Sequence, residues 1–93
     1  MIECNAGRCT LKGAVNLENA LALREDGLRL FTQSEVTLDL SGVTEVDSAA
    51  ISLLFEWRRA AQAANRSIRF VNLPDNLKSL AQLYGVTELV GAQ

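Results

Sequence analysis

Histidine is absent from this sequence, proline occurs once, and tryptophan, tyrosine and methionine occur once each. Without histidine there are no Ser–His or Cys–His nucleophile pairs, and most zinc and iron sites are excluded. Two cysteines, Cys4 and Cys9, are too few for a disulfide framework and do not form a Cys-x-x-Cys pair. Two reduced, partly buried thiols are the expectation, although a hairpin could place them side by side. No apolar run approaches the ~20 residues of a bilayer span. Met1-Ile2-Glu3-Cys4 lacks the basic-then-apolar order of a secretory signal, which makes the cytoplasm the expected compartment. A net charge of −2 leaves no electrostatic footprint for nucleic acid or an anionic membrane surface. Neither Gly-x-Gly-x-x-Gly nor Gly-x4-Gly-Lys occurs, so no nucleotide loop and no cofactor are expected.

What is present is a globular composition: 93 residues, 48% apolar and 22% charged, enough for one domain over residues 1–93. Its centre is Leu38-Asp39-Leu40-Ser41-Gly42-Val43-Thr44-Glu45-Val46-Asp47-Ser48-Ala49-Ala50-Ile51. Val36, Leu38 and Leu40 alternate with Thr37 and Asp39, which predicts a half-buried strand over 35–40, broken by Ser41-Gly42. Asp47 is the best N-cap of the helix that follows. Around ~100° per residue, Ala50, Leu53, Leu54, Trp57, Ala60, Ala61 and Ala64 form a core stripe. Ser48, Ser52, Phe55 and Arg59 form a column on the opposite side, polar except for a lone aromatic, which reads as a docking surface.

The remaining elements follow from similar signals. Residues 1–4 and 9–15 read as strands around a turn whose Asn5 and Gly7 supply the special backbone conformations. Asn16 caps a helix over 17–31 with Leu17, Ala20, Leu21, Leu28 and Phe31 at helical spacing, and Gly27 bends or ends it. Asn65-Arg66 stops the second helix, and residues 67–73 form a strand. Asp75 caps a third helix with Leu77, Leu80, Ala81 and Tyr84 inward and Gly85 at its C′ position, followed by a short edge strand over 86–90. One polar face per strand predicts a small mixed α/β sheet with its helices mainly on one face.

The Leu-Asp-Leu-Ser strand end and the Val-Asp-Ser-Ala-Ala-Ile-Ser-Leu-Leu helix start resemble the STAS domains of anti-sigma-factor antagonists. With Phe70-Val71-Asn72-Leu73-Pro74 and Leu80-Ala81-Gln82-Leu83-Tyr84-Gly85 in register, the likeness extends to the STAS subunits of Mla-type phospholipid-transport ABC systems. That resemblance implies a non-enzymatic cytoplasmic adaptor that binds and regulates or stabilises the ATPase subunit of such a complex, peripheral to the inner membrane through that partner. The resemblance places that contact on the Val43–Phe55 surface, and with the polar column of the helix the candidate contact residues are Asp47, Ser48, Ala49, Ser52, Phe55 and Arg59. The alternative is a phosphorylation-controlled switch whose partners are an anti-sigma factor or kinase. In that branch the phosphorylated serine is the second residue after the aspartate, which here is Ala49; Ser48 is then the candidate phosphosite. Catalysis by Ser48 or a cysteine lacks a base.

Overall fold

The computed structural model describes residues 1–86. Among these residues, four strands and three helices follow one another as β1 (Ile2–Asn5), β2 (Arg8–Val15), α1 (Ala20–Leu30), β3 (Glu35–Val46), α2 (Ser48–Ala63), β4 (Ser67–Val71) and α3 (Asp75–Leu83). The sheet order is β1-β2-β3-β4, with β1 antiparallel to β2 and the other pairs parallel. Cys9, Leu11, Val36, Leu38, Leu40, Ile68 and Phe70 turn inward under the helices. Glu3, Arg8, Lys12, Ser41 and Arg69 alternate with them on the uncovered face. The mixed sheet with helices on one face agrees with the alternation in the sequence. The expected strand over 86–90 falls mostly outside the described residues.

Several local expectations are corrected. In the β1–β2 turn the positive φ angles belong to Ala6 (53°) and Gly7 (87°), not to Asn5. The two-residue loop sets Cys4 opposite Cys9 in the register. Met1 and Lys12 form a hydrogen-bonded pair, with Lys12 N–H donating to the Met1 carbonyl at 2.9 Å, so by alternation Cys4 and Cys9 form a close, non-hydrogen-bonded pair. Their sulfurs are joined as a disulfide, in place of the two thiols expected. Ser41-Gly42 does not end β3. Thr10 and Lys12 pair with Asp39 and Gly42, so β3 carries an extra residue there, and a second irregularity lies between Gly13 and Val15. A Cβ at Gly42 would lie 2.9 Å from Lys12 Cγ, which explains why the bulge holds a glycine.

The helices differ most in phase. α1 starts at Ala20 and buries Leu23 and Gly27, while Leu17, Leu21 and Leu28 are exposed. Gly27 does not end it, since α1 continues to Leu30, and the Trp57 indole packs where a Gly27 side chain would be. Trp57 is fully buried, its Nε1–H donates to the Arg24 carbonyl at 3.3 Å, and its ring meets the Phe31 ring edge-on at 5.2 Å between centroids. α2 buries Ala50, Ile51, Leu53, Leu54 and Trp57; Ala60 and Ala61 are half-buried and Ala64 is exposed, so its stripe is shorter than expected and includes Ile51.

Asn65 stops α2 with φ 59°, as Arg66 N–H reaches back to the Ala61 carbonyl at 2.7 Å. In α3 Asp75 is the first helical residue and makes no capping bond, and Tyr84 points outward at 53% exposure. Gly85 does sit at C′, with Val86 N–H bonding the Ala81 carbonyl and Gly85 N–H the Gln82 carbonyl.

Candidate docking surface

The site begins where β3 ends. Asp47 has extended backbone and both carboxylate oxygens are engaged: Ala49 N–H donates to Oδ1 at 2.8 Å and Leu17 N–H donates to Oδ2 at 3.0 Å. The first bond satisfies an orphan donor of α2, as the sequence predicted. The second was not foreseen and ties the β2–α1 connection to the start of α2. That connection is itself fixed by Asn16 Oδ1, which accepts from Glu18 and Asn19 N–H, and by Asn19 Nδ2, which donates to the Ala14 carbonyl at 2.8 Å. Asp47 therefore positions its surroundings through bonds within the chain.

Those bonds hold two helix starts apart at a fixed spacing. Between them lies an open groove of about 490 Å³, lined on one side by Leu17, Ala20 and Leu21 and on the other by Ser48, Ala49 and Ser52. Leu17, in the turn before α1, and Leu21, within it, are 80% and 64% exposed and give the groove an apolar edge. Ser48 and Ser52 are exposed and Ala49 half-buried. Arg24 and Glu56 also line the groove and pair across it at 2.9 Å. Both are about two-fifths exposed, so this bridge contributes at most about 1 kcal/mol.

The structure brings together four of the six predicted contact residues, Asp47, Ser48, Ala49 and Ser52. Phe55 and Arg59 lie further down α2 in a separate hollow with Arg58 and Gln62. Phe55 is half-buried against the core, not an isolated exposed ring. Leu17 and Leu21 are the site residues that the sequence reasoning missed, because their spacing had assigned them to the core. The available signal was the competing stripe Leu23-Gly27-Leu30, which has the same period and includes the glycine that Trp57 needs.

On the opposite side of the sheet, Asp39 has its carboxyl held below the ordinary carboxylate range. The main cause is the Ser41 N–H, which donates to Oδ1 at 2.9 Å; the Ser41 and Asn72 side chains and Arg8, 3.7 Å away, act in the same direction, against a small cost of burial. No helix among the described residues is long and apolar enough to cross a membrane.

The family described as "Mlab, STAS domain" matches residues 2–91. No curated protein matches the chain in sequence. Among solved structures, the anti-sigma factor antagonist SpoIIAA in its unphosphorylated form matches with a TM-score of 0.66 at 15% identity, over 89% of this chain and 81% of that one. The structure titled "Crystal Structure Analysis of Mglu" matches with a TM-score of 0.62 at 22% identity. It covers 81% of this chain, which spans 19% of that one. At these identities the two structures speak to the fold.

Proposed function

The chain belongs to the STAS domain family of the MlaB type, and from that premise we propose that it is a non-catalytic adaptor for the ATPase subunit of a phospholipid-transporting ABC complex. The observation that carries the reading is the α1–α2 groove, where Leu17 and Leu21 stand exposed opposite Ser48 and Ser52. An apolar ridge facing two hydroxyls, on a frame fixed by Asp47 and Asn16, suits a partner helix or loop that brings apolar side chains with a polar flank. In this reading the lipid is moved by other subunits and this chain regulates or stabilises the ATPase from the cytoplasmic side.

A second reading, an anti-sigma-factor antagonist acting in a kinase-controlled switch, draws support from the SpoIIAA-like fold. Ala49 has no hydroxyl to phosphorylate at the position that branch uses, and Ser48 is the neighbouring candidate. Purification of the native complex under gentle conditions separates the two. Recovery of an ABC ATPase is the expected result; recovery of a kinase or anti-sigma factor without an ATPase, with stoichiometric phosphate on Ser48, would reverse the order.

A further inference from the structure

The hairpin at the edge of the sheet combines a strained turn, a disulfide and the floor beneath α1. Among the described residues, β1 pairs with β2 alone, and its other edge meets no strand. In the turn, Ala6 has φ 53°, a left-handed conformation that a residue with a Cβ adopts only when its surroundings hold it there. The β2 side of that turn is anchored, since the Gly7 carbonyl accepts the Thr37 N–H at 2.8 Å. The β1 side is held by its short ladder with β2, by buried Ile2 and by the Cys4–Cys9 bond. β1 also packs against α1, with Cys4 on the inner face against the core. The two cysteines are only 5 apart in sequence, and such short loops gain least from covalent closure. Leu38, Leu40, Leu54 and Trp57, at the centre of the core, come from other elements, so the domain keeps its fold with the bond open.

We propose that Cys4 and Cys9 form a redox switch that sets how firmly β1, and α1 above it, are seated. The inference deepens the adaptor reading, on which it rests, because α1 and the turn before it supply the Leu17–Leu21 edge of the groove. In the cytoplasmic setting of that reading, dithiols are the ambient reductants. Cys9 is 1% exposed and Cys4 half-buried, so the entering thiolate attacks Cys4 Sγ. The bond between the two sulfurs breaks, and Cys9 leaves with the electron pair and takes a proton from water. The second thiolate of the reductant then attacks its own sulfur, displaces Cys4 as a thiolate that is protonated in turn, and closes the reductant's disulfide. Two electrons have passed to the protein, and a disulfide oxidant returns them by the reverse steps. In the dithiol form the strained turn relaxes, β1 frays and α1 loses part of its support.

The test compares the full chain, oxidised and after treatment with dithiothreitol in the absence of denaturant. Alkylation followed by intact mass measurement reads the thiols, and hydrogen exchange reads the backbone. Reduction goes to completion, and the melting temperature falls by about 5–15 °C. Exchange at Glu3 and Asn5 of β1 and at Leu23 of α1 rises about tenfold, while Leu38 of β3 is unchanged. Cys4→Ser with Cys9→Ala matches the reduced chain and no longer responds to dithiothreitol. The oxidised chain binds the ATPase subunit about fivefold more tightly than the reduced one. A bond that resists the reductant, exchange at Glu3 and Leu23 that ignores it, or equal ATPase affinity in both forms overturns the switch and spares the adaptor reading. The exchange response without an ATPase complex in either form overturns the adaptor reading and leaves the effect of the bond on β1 and α1 standing.

Discussion

Gly27 decides how closely α1 approaches α2. A glycine inside a helix costs about 1 kcal/mol relative to alanine, and an exposed one is improved by the change. Here the Trp57 indole occupies the space of the missing side chain. Gly27→Ala is therefore expected to destabilise by about 1–3 kcal/mol, as overpacking does, measured by urea unfolding; a stabilised variant would mean that the two helices pack elsewhere. Trp57→Ala removes a fully buried ring, its bond to Arg24 and its contact with Phe31, at an expected cost of about 3–5 kcal/mol. Phe55→Ala, at a half-buried ring, is expected to cost about 1 kcal/mol, roughly half the value of a fully buried one. Equal losses in these two variants would contradict the orientation of α2.

Among the elements, the start of α2 is the one whose placement depends on a single side chain. Asp47→Ala removes the cap, worth about 0.5–2 kcal/mol, and also the tie to Leu17 N–H. The expected result is a loss near the upper end of that range together with faster hydrogen exchange at Leu17 as well as Ala49. Protection retained at Leu17 would show that the β2–α1 connection is fixed by Asn16 and Asn19 alone.

This element was legible in the sequence because an aspartate before an apolar helical run has few other uses. The length of β3 was not. Ser41-Gly42 reads as a breaker, yet in a paired strand the same residues make a bulge, and only the partner strand's register distinguishes the two. The phase of α1 was not legible either: two leucine stripes of the same period compete, and the choice is made by a tryptophan 30 residues further on. That error concealed half of the groove. The Cys4–Cys9 pairing likewise depended on a two-residue turn built from Ala6 and Gly7, and alanine gives no signal for positive φ.

At the scale of the molecule, the two faces of the sheet have different work. One is sealed by the helices that line the candidate groove, and the other, among the described residues, stays open with Asp39 near its bulge. Because the folded-state pKa of Asp39 is depressed, its contribution to stability is present above the unfolded-state value and is lost as pH falls through the folded one. Unfolding of the native chain and of Asp39→Asn, compared across pH, is expected to show a native advantage at neutral pH that narrows below the ordinary carboxylate range. An advantage that grows on acidification would contradict the role given to Ser41 N–H.

The claim that joins these scales is that the α1–α2 groove is where the ATPase docks. Calorimetric titration of the purified ATPase subunit with the native chain, Leu21→Asp and Ser48→Arg tests it most directly. The native chain is expected to bind and each variant to lose about tenfold or more in affinity, with unfolding transitions unchanged because both side chains are exposed. Undiminished binding by both variants would contradict it.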